Sequence, residues 1–255
     1  MGKTVSVRLA RLVAGIASAI LAIAGLGYAA AQTVSAPRDL ELGPMETIQP
    51  AAGAVSPSVQ QPTAPAAPAG PPRVDETWAA ETATKAGIPV AAMRAYANAQ
   101  ISEPKGCEVG WTTLAGIGWV ESQHGTVGER TLGDDGHSST PILGPALDGD
   151  PFAAIPATPQ TTAWHGDPAW DHAVGPMQFI PSTWEQWGID GDLDGVADPN
   201  DIDDAAATAV AYLCADGHDL TSGSGWADAV FGYNHDESYV ANVHAAASAY
   251  AERTS

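Results

Sequence analysis

The sequence predicts a mainly α fold: a single globular domain of helices, broken by a long irregular loop region and by one acidic loop. Three observations carry this. Apolar residues recur at helical spacing in seven segments between Asp75 and Arg253, each with a start or stop signal at its ends. No segment alternates apolar and polar residues as a half-buried strand does. Asp stands at every second position in DGDLDG, residues 190–195, a pattern suited to a hard cation.

The first helical segment is DETWAAETATKAG, Asp75 to Gly87, with Gly87 as its stop. PVAAMRAYANAQ, Pro89 to Gln100, opens with Pro at a helix start. EVGWTTLAGIGWVESQHG, Glu108 to Gly125, is the third. Residues 126–174 are dense in Gly, Pro, Asp and Thr and predict an irregular region, of a length that is often functional. Within it, residues 140–169 are expected to cover a groove. PSTWEQWG (Pro181 to Gly188) is a short helix ahead of the acidic loop. DDAAATAVAYLCADG (Asp203 to Gly217), GWADAVFGYN (Gly225 to Asn234) and ESYVANVHAAASAYAER (Glu237 to Arg253) complete the domain.

The chain has 255 residues and a formal charge of -20, from 30 acidic and 10 basic residues. So few cations exclude a nucleic-acid partner, which needs Lys and Arg against phosphate. They also oppose electrostatic attachment to an anionic membrane. Residues 1–31 start basic (Lys3, Arg8, Arg11), run apolar from Leu12, and end in Ala29, Ala30 and Ala31 ahead of Gln32. This reads as an export signal. An uncleaved N-terminal membrane anchor is the alternative, because the apolar run approaches bilayer-spanning length. Either reading places the remainder outside the cytoplasm, secreted or in the cell envelope. Residues 32–73 are a Pro/Ala-rich linker that cannot bury enough apolar surface to order itself. The folded domain is then 74–255. The two cysteines, Cys107 and Cys214, are expected to pair in an exported chain, adding roughly 2–4 kcal/mol. Two buried thiols are the competing arrangement.

Leu114, Ile117 and Glu121 share one helical face, apolar except for the carboxyl. Lost water and a nearby helix C-terminus both disfavour its charged form. A Glu that keeps its proton near neutral pH is a general acid; a half-exposed Glu at a frayed helix end is the plainer alternative.

WVESQHG, then GPMQFIPSTW, then GYN, in that order, resembles the lytic murein transglycosylases of bacterial cell walls. The calcium-bearing, membrane-bound B-type branch, with a fold similar to goose-type lysozyme, is the nearest. The resemblance implies Glu121 as the single catalytic residue, followed by Ser122. It implies substrate contacts from Ser122, Gln178, Tyr212, Tyr233 and Asn234. The plainer alternatives are a turn-bonding amide for Gln178, core aromatics for Tyr212 and Tyr233, and helix ends for Ser122 and Asn234. Peptidoglycan glycan strands are the implied partner, and a monomer is expected. The implied reaction is non-hydrolytic cleavage between N-acetylmuramic acid and N-acetylglucosamine, with closure of a 1,6-anhydro ring. A hydrolytic muramidase would need a second carboxylate; Asp134, Asp135, Asp148, Asp150, Asp167 and Asp171 are the candidates, and Asp171 could instead orient the Gln178 turn. A peptidoglycan-binding scaffold with a degenerate site is the reading from another class.

Asp190, Asp192 and Asp194 offer hard oxygens, Gly195 permits the sharp turn and Val196 offers its carbonyl, as Ca2+ prefers. The twelfth position is Asp201, shorter than the usual Glu. The resembling branch takes its last carboxylate later, here Asp204, which is the expected ligand with Asp201 as the alternative. A single loop of this kind suggests a structural Ca2+; a solvated acidic loop is the bland reading. The seven His are scattered without an H-E-x-x-H pair, which argues against a zinc hydrolase. No G-x-S-x-G elbow or phosphate-binding loop is present.

Overall fold

The computed structural model describes residues 53–59, 73–149 and 153–255. The expected export segment, most of the expected linker and Asp150 lie outside them. The described residues form eight helices and one two-stranded sheet. In chain order these are α1 (Glu76–Ala86), α2 (Val90–Ile101), α3 (Trp111–Ser122), β1 (Leu143–Ala146), α4 (Pro159–His165), β2 (His172–Val174), α5 (Pro181–Trp187), α6 (Ile202–Cys214), α7 (Gly223–Tyr233) and α8 (Glu237–Thr254). The mainly α single domain expected from the sequence is the fold observed. Among the described residues no helix is long and apolar enough to cross a membrane.

The helix ends follow from local chemistry. Asp75 accepts from the Trp78 N–H at the start of α1, and Gly87 takes φ 75° at its end, where an L side chain would be strained. The α3 helix starts at Trp111 rather than Glu108. Glu108 has φ 57°, and side chains of the preceding segment satisfy the free N–H groups: Gln100 Oε1 accepts from Trp111 and Glu103 Oε2 from Val109.

The α3 helix is the core of the domain. Every residue from Trp111 to Gly118 is buried, so apolar contact surrounds the helix instead of marking one face, as the sequence suggested. The α8 helix lies along it, and α2 packs on α6. Close approach of α8 requires Gly116, where a Cβ would stand 2.7 Å from the Val243 carbonyl oxygen. Cys107 and Cys214 form a disulfide with Cα atoms 5.6 Å apart, tying the segment before α3 to the end of α6.

Residues 126–174 hold more regular structure than expected. β1 and β2 pair antiparallel, with Leu143 opposite Val174 and Ala146 opposite His172. The seven-residue α4 starts on a capping box between Thr158 and Thr161. Polar contacts hold this region together. Asp171 accepts from Thr161 Oγ1 at 2.6 Å and sits 3.1 Å from His165 Nε2. Asp171 therefore pins α4 to β2, ahead of the Gln178 turn. Residues 53–59, inside the expected linker, lie against the domain: Val59 bridges Val74, and the Trp111 indole donates to the Val55 carbonyl at 2.9 Å.

Candidate active site

Glu121 lies in the last turn of α3, half-buried. Burial lifts its carboxyl from 4.5 to about 7, against the lowering effect of a hydrogen bond from the Tyr239 hydroxyl. That hydroxyl donates to Glu121 Oε1 at 2.6 Å. The proton is thus retained near neutral pH, while its conjugate base has a fixed donor waiting.

The turn after β2 faces Glu121. Val174 and Phe179 exchange backbone hydrogen bonds at 2.8 and 3.1 Å. Gly175, at φ 80°, donates to the Ile142 carbonyl at 2.8 Å. Gln178 sits at φ 52°, and its Nε2 donates to Gly175 O at 2.9 Å and to Ile142 O at 3.3 Å. The donor end of the amide is committed to the turn, which leaves its carbonyl oxygen as the end available to a ligand. Ile142, from the irregular region, thereby helps set the Gln178 side chain.

Aromatic rings from the C-terminal half back this turn. Tyr233 donates to the Met177 carbonyl at 2.9 Å and stacks on Tyr239 with ring planes 6° apart. Phe179 and Tyr212 both meet Tyr233 edge-on, at 5.5 and 5.8 Å. Asn234 ends α7, is 5 % exposed, and its Oδ1 is buried with no hydrogen-bond partner among the described residues.

Glu121, Gln178, Tyr212, Tyr233 and Asn234 line one open cleft, walled further by Phe179, Ile180 and Thr183. Five residues singled out in the sequence thus meet at one place. Ser122 does not join them. It is buried, and its Oγ donates to Pro176 O at 2.5 Å and accepts from Gly125 N–H at 2.8 Å, joining the end of α3 to the Gln178 turn. Sequence reasoning missed Tyr239, which carries no motif signal beyond being one of two tyrosines at helical spacing in α8. Asp134, Asp135, Asp148, Asp167 and Asp171 do not line the cleft. Asp171 as above, Asp167 against His172 Nε2 at 3.1 Å and Asp135, whose Oδ1 accepts from the His137 N–H at 3.3 Å, serve the irregular region.

The acidic loop follows α5. Carboxylate oxygens of Asp190, Asp192 and Asp204 lie within 4.8 Å of one another, the one such group among the described residues. Asp190 Oδ1 is buried without a hydrogen-bond partner there, as an oxygen awaiting a cation would be. Asp204 is buried and its oxygens accept from Gly191 and Asp198 N–H groups at 2.7 and 2.8 Å. Asp194 does not join the three; its Oδ1 accepts from Val196 N–H at 2.8 Å. Asp201 is also apart from the cluster. It caps α6 through Asp203 N–H at 2.7 Å and faces His137 Nδ1 at 3.5 Å. Arg73 closes the loop from outside, donating to the carbonyls of Gly191 and Asp192 at 3.2 and 2.8 Å. The all-oxygen donor set fits a hard divalent ion such as Ca2+.

Searches of curated proteins and of solved structures gave no match. Residues 159–248 match the family model of the Transglycosylase SLT domain. The matched stretch holds the Gln178 turn, the acidic loop, Tyr212, Tyr233, Asn234 and Tyr239; Glu121 precedes it. This match makes about a third of the chain, from α4 into α8, similar to the Transglycosylase SLT domain.

Proposed function

We propose that the protein cleaves the β-1,4 bond between N-acetylmuramic acid and N-acetylglucosamine without water, leaving 1,6-anhydro ends. The observation that carries this is Glu121. Among the described residues lining the cleft it is the only carboxyl, and burial lifts it to about 7, so that a substantial share keeps its proton at neutral pH. A hydrolase of the usual kind needs a second carboxylate across the cleft. With one, the acid must also serve as the base.

Glu121 donates its proton to the glycosidic oxygen as the bond to the anomeric carbon breaks. The substrate's own acetamido oxygen stabilises the positive carbon. The Glu121 carboxylate, held by the Tyr239 hydroxyl, then takes the proton of the muramic acid C6 hydroxyl. That oxygen closes on the anomeric carbon, and Glu121 is again the acid. Gln178 Oε1 accepts from a substrate N–H or O–H. The Asn234 amide faces an acetamido group of the substrate, and the Tyr212 and Tyr233 rings, set at right angles, wall the sugar site.

A structural Ca2+ would be held by Asp190, Asp192 and Asp204 and would fix the loop that the Gln178 turn leans on. Gly175 lies so close to Pro199 that a Cβ would overlap the Pro199 carbonyl. The protein then works outside the cytoplasm, where this polymer lies, as a monomer on glycan strands.

The test incubates the purified protein with peptidoglycan and identifies the products by mass spectrometry. Anhydro ends that vanish with Glu121→Gln support the reading. Ordinary reducing ends point to a hydrolase, and retention on the polymer without cleavage points to a binding scaffold.

A further inference from the structure

Three successive residues after α3 take left-handed backbone: Gln123 at φ 53°, His124 at 60° and Gly125 at 83°. Side chains disfavour that region, so two non-glycine residues in a row need a compensating contact. His124 supplies it. The ring is 2 % exposed and lies between tyrosines from α2 and α8. Its Nδ1 is 3.1 Å from Tyr96 Oη, and its Nε2 is 2.8 Å from Tyr250 Oη. A neutral imidazole has one donor and one acceptor nitrogen, which two hydroxyls complement in either sense. Gly118, one helical turn before Glu121, leaves room for the Tyr96 hydroxyl, which a Cβ there would overlap. Burial holds the His124 imidazolium down to about 3, so the ring stays neutral wherever Glu121 titrates. The α8 helix thus grips the end of α3 twice, with Tyr239 on Glu121 and Tyr250 on His124.

We propose that His124 is a positioning residue for Glu121: the Tyr96–His124–Tyr250 bridge locks the left-handed turn that ends α3 and so fixes the acid in its cleft. This rests on the reading of Glu121 as the acid. Without the bridge the last turn of α3 frays, water reaches the carboxyl, and it loses both its placement and its hold on the proton.

Two readouts separate this role from plain stability. The first is kcat against KM on peptidoglycan. The second is the titration of the Glu121 carboxyl carbon by 13C NMR in the protein alone. His124→Phe is expected to lower kcat between about tenfold and a hundredfold with KM within about twofold. Its carboxyl titration should move down by about one pH unit. His124→Asn, which tolerates left-handed backbone and keeps a donor and an acceptor, should retain more of both. Tyr250→Phe removes one hydroxyl and should move both readouts the same way by less; it decides the matter if His124→Phe does not fold. Ala79→Gly, buried in α1 away from the cleft, supplies a matched loss of Tm and should move neither. If the His124 and Tyr250 variants lose Tm but keep kcat and the titration, the proposal is wrong. If Glu121→Gln still cleaves, the acid has been misassigned, while the titration independently decides whether His124 holds this carboxyl.

Discussion

The Tyr239 hydroxyl stands 2.6 Å from Glu121 Oε1, the one side-chain bond that opposes the effect of burial on this acid. It favours the carboxylate, the form that the second half of the proposed reaction needs. Removing it with Tyr239→Phe should raise the Glu121 pKa further. Cleavage that requires the protonated acid falls as pH rises through about 7 in the wild type. In Tyr239→Phe that limb should lie about one pH unit higher, since a hydrogen bond to a charged group is worth about 1.5–3 kcal/mol. The maximal rate should nevertheless drop, because the base is less well held. A pH profile of anhydro-product formation reads both effects; an unmoved limb would mean that the hydroxyl does not tune this acid.

Gly175 is the tightest point of the turn that carries Gln178. A Cβ there would overlap the Pro199 carbonyl, and the backbone sits at φ 80°. Gly175→Ala should therefore destabilise the protein by about 3 kcal/mol or more and push the turn off the acidic loop. Gly232→Ala is the natural comparison. That glycine lies inside α7 with nothing within 4 Å of the added carbon, so Ala should gain about 0.5–1 kcal/mol in helix propensity. Paired thermal melts give the difference directly. Equal Tm values would show that the turn yields to Pro199.

The parts of the fold written in local chemistry were legible in the sequence. Asp75 and Gly87 mark the ends of α1, and the spacing of α6 and α8 is plainly helical. Motif order put Glu121 and Gln178 together, and they line one cleft; the Cys107–Cys214 bridge followed from the expectation of an exported chain. What escaped is fixed by distant partners. The bond from the Trp111 indole goes to a backbone carbonyl, at Val55, which every residue possesses, so composition assigned that segment to a linker. β1 contains Pro145 and spans only four residues, too few for alternation to register. α4 is stabilised by its Thr158 and Thr161 caps and by Asp171, not by an apolar stripe. Ser122 sits beside the acid in sequence yet bonds Pro176, because a helix end turns successive side chains to different sides.

Burial raises four carboxyls of this region: Asp201, Asp203 and Asp204 from 3.8 to about 6, and Glu121 from 4.5 to about 7. Each binds its proton more tightly in the folded chain than in the unfolded one. Between about pH 4 and 7 these four carboxyls outweigh the opposite contribution of His124, which the folded chain keeps neutral, so stability falls as pH rises. With a chelator present, Tm should decline across that range. Added Ca2+ has the opposite sign, because it binds the deprotonated, assembled cluster and stabilises by mass action. Its gain in Tm should be large at pH 7 and small at pH 4. A scan of Tm against pH with and without Ca2+ tests this; parallel curves would remove the cation from the acidic loop.

Asp201 and Asp204 separate the two ways of completing that loop. Asp204 stands with Asp190 and Asp192, whereas Asp201 caps α6 and faces His137. Asp201→Asn keeps a good capping side chain and removes a carboxyl already disfavoured by burial, so stability should change by less than about 1 kcal/mol. Its Ca2+ affinity should stay within about threefold of wild type, the ligand set being intact. Asp204→Asn turns an amide NH2 toward the backbone N–H of Gly191 or Asp198, where both oxygens now accept. An unsatisfied buried donor costs about 1–3 kcal/mol. Loss of one charged ligand should weaken Ca2+ binding by roughly tenfold or more. Calorimetric titration of each variant with Ca2+ reads the two effects separately. Loss of binding in Asp201→Asn with retention in Asp204→Asn would reverse the assignment and require the α6 cap to turn into the loop on loading.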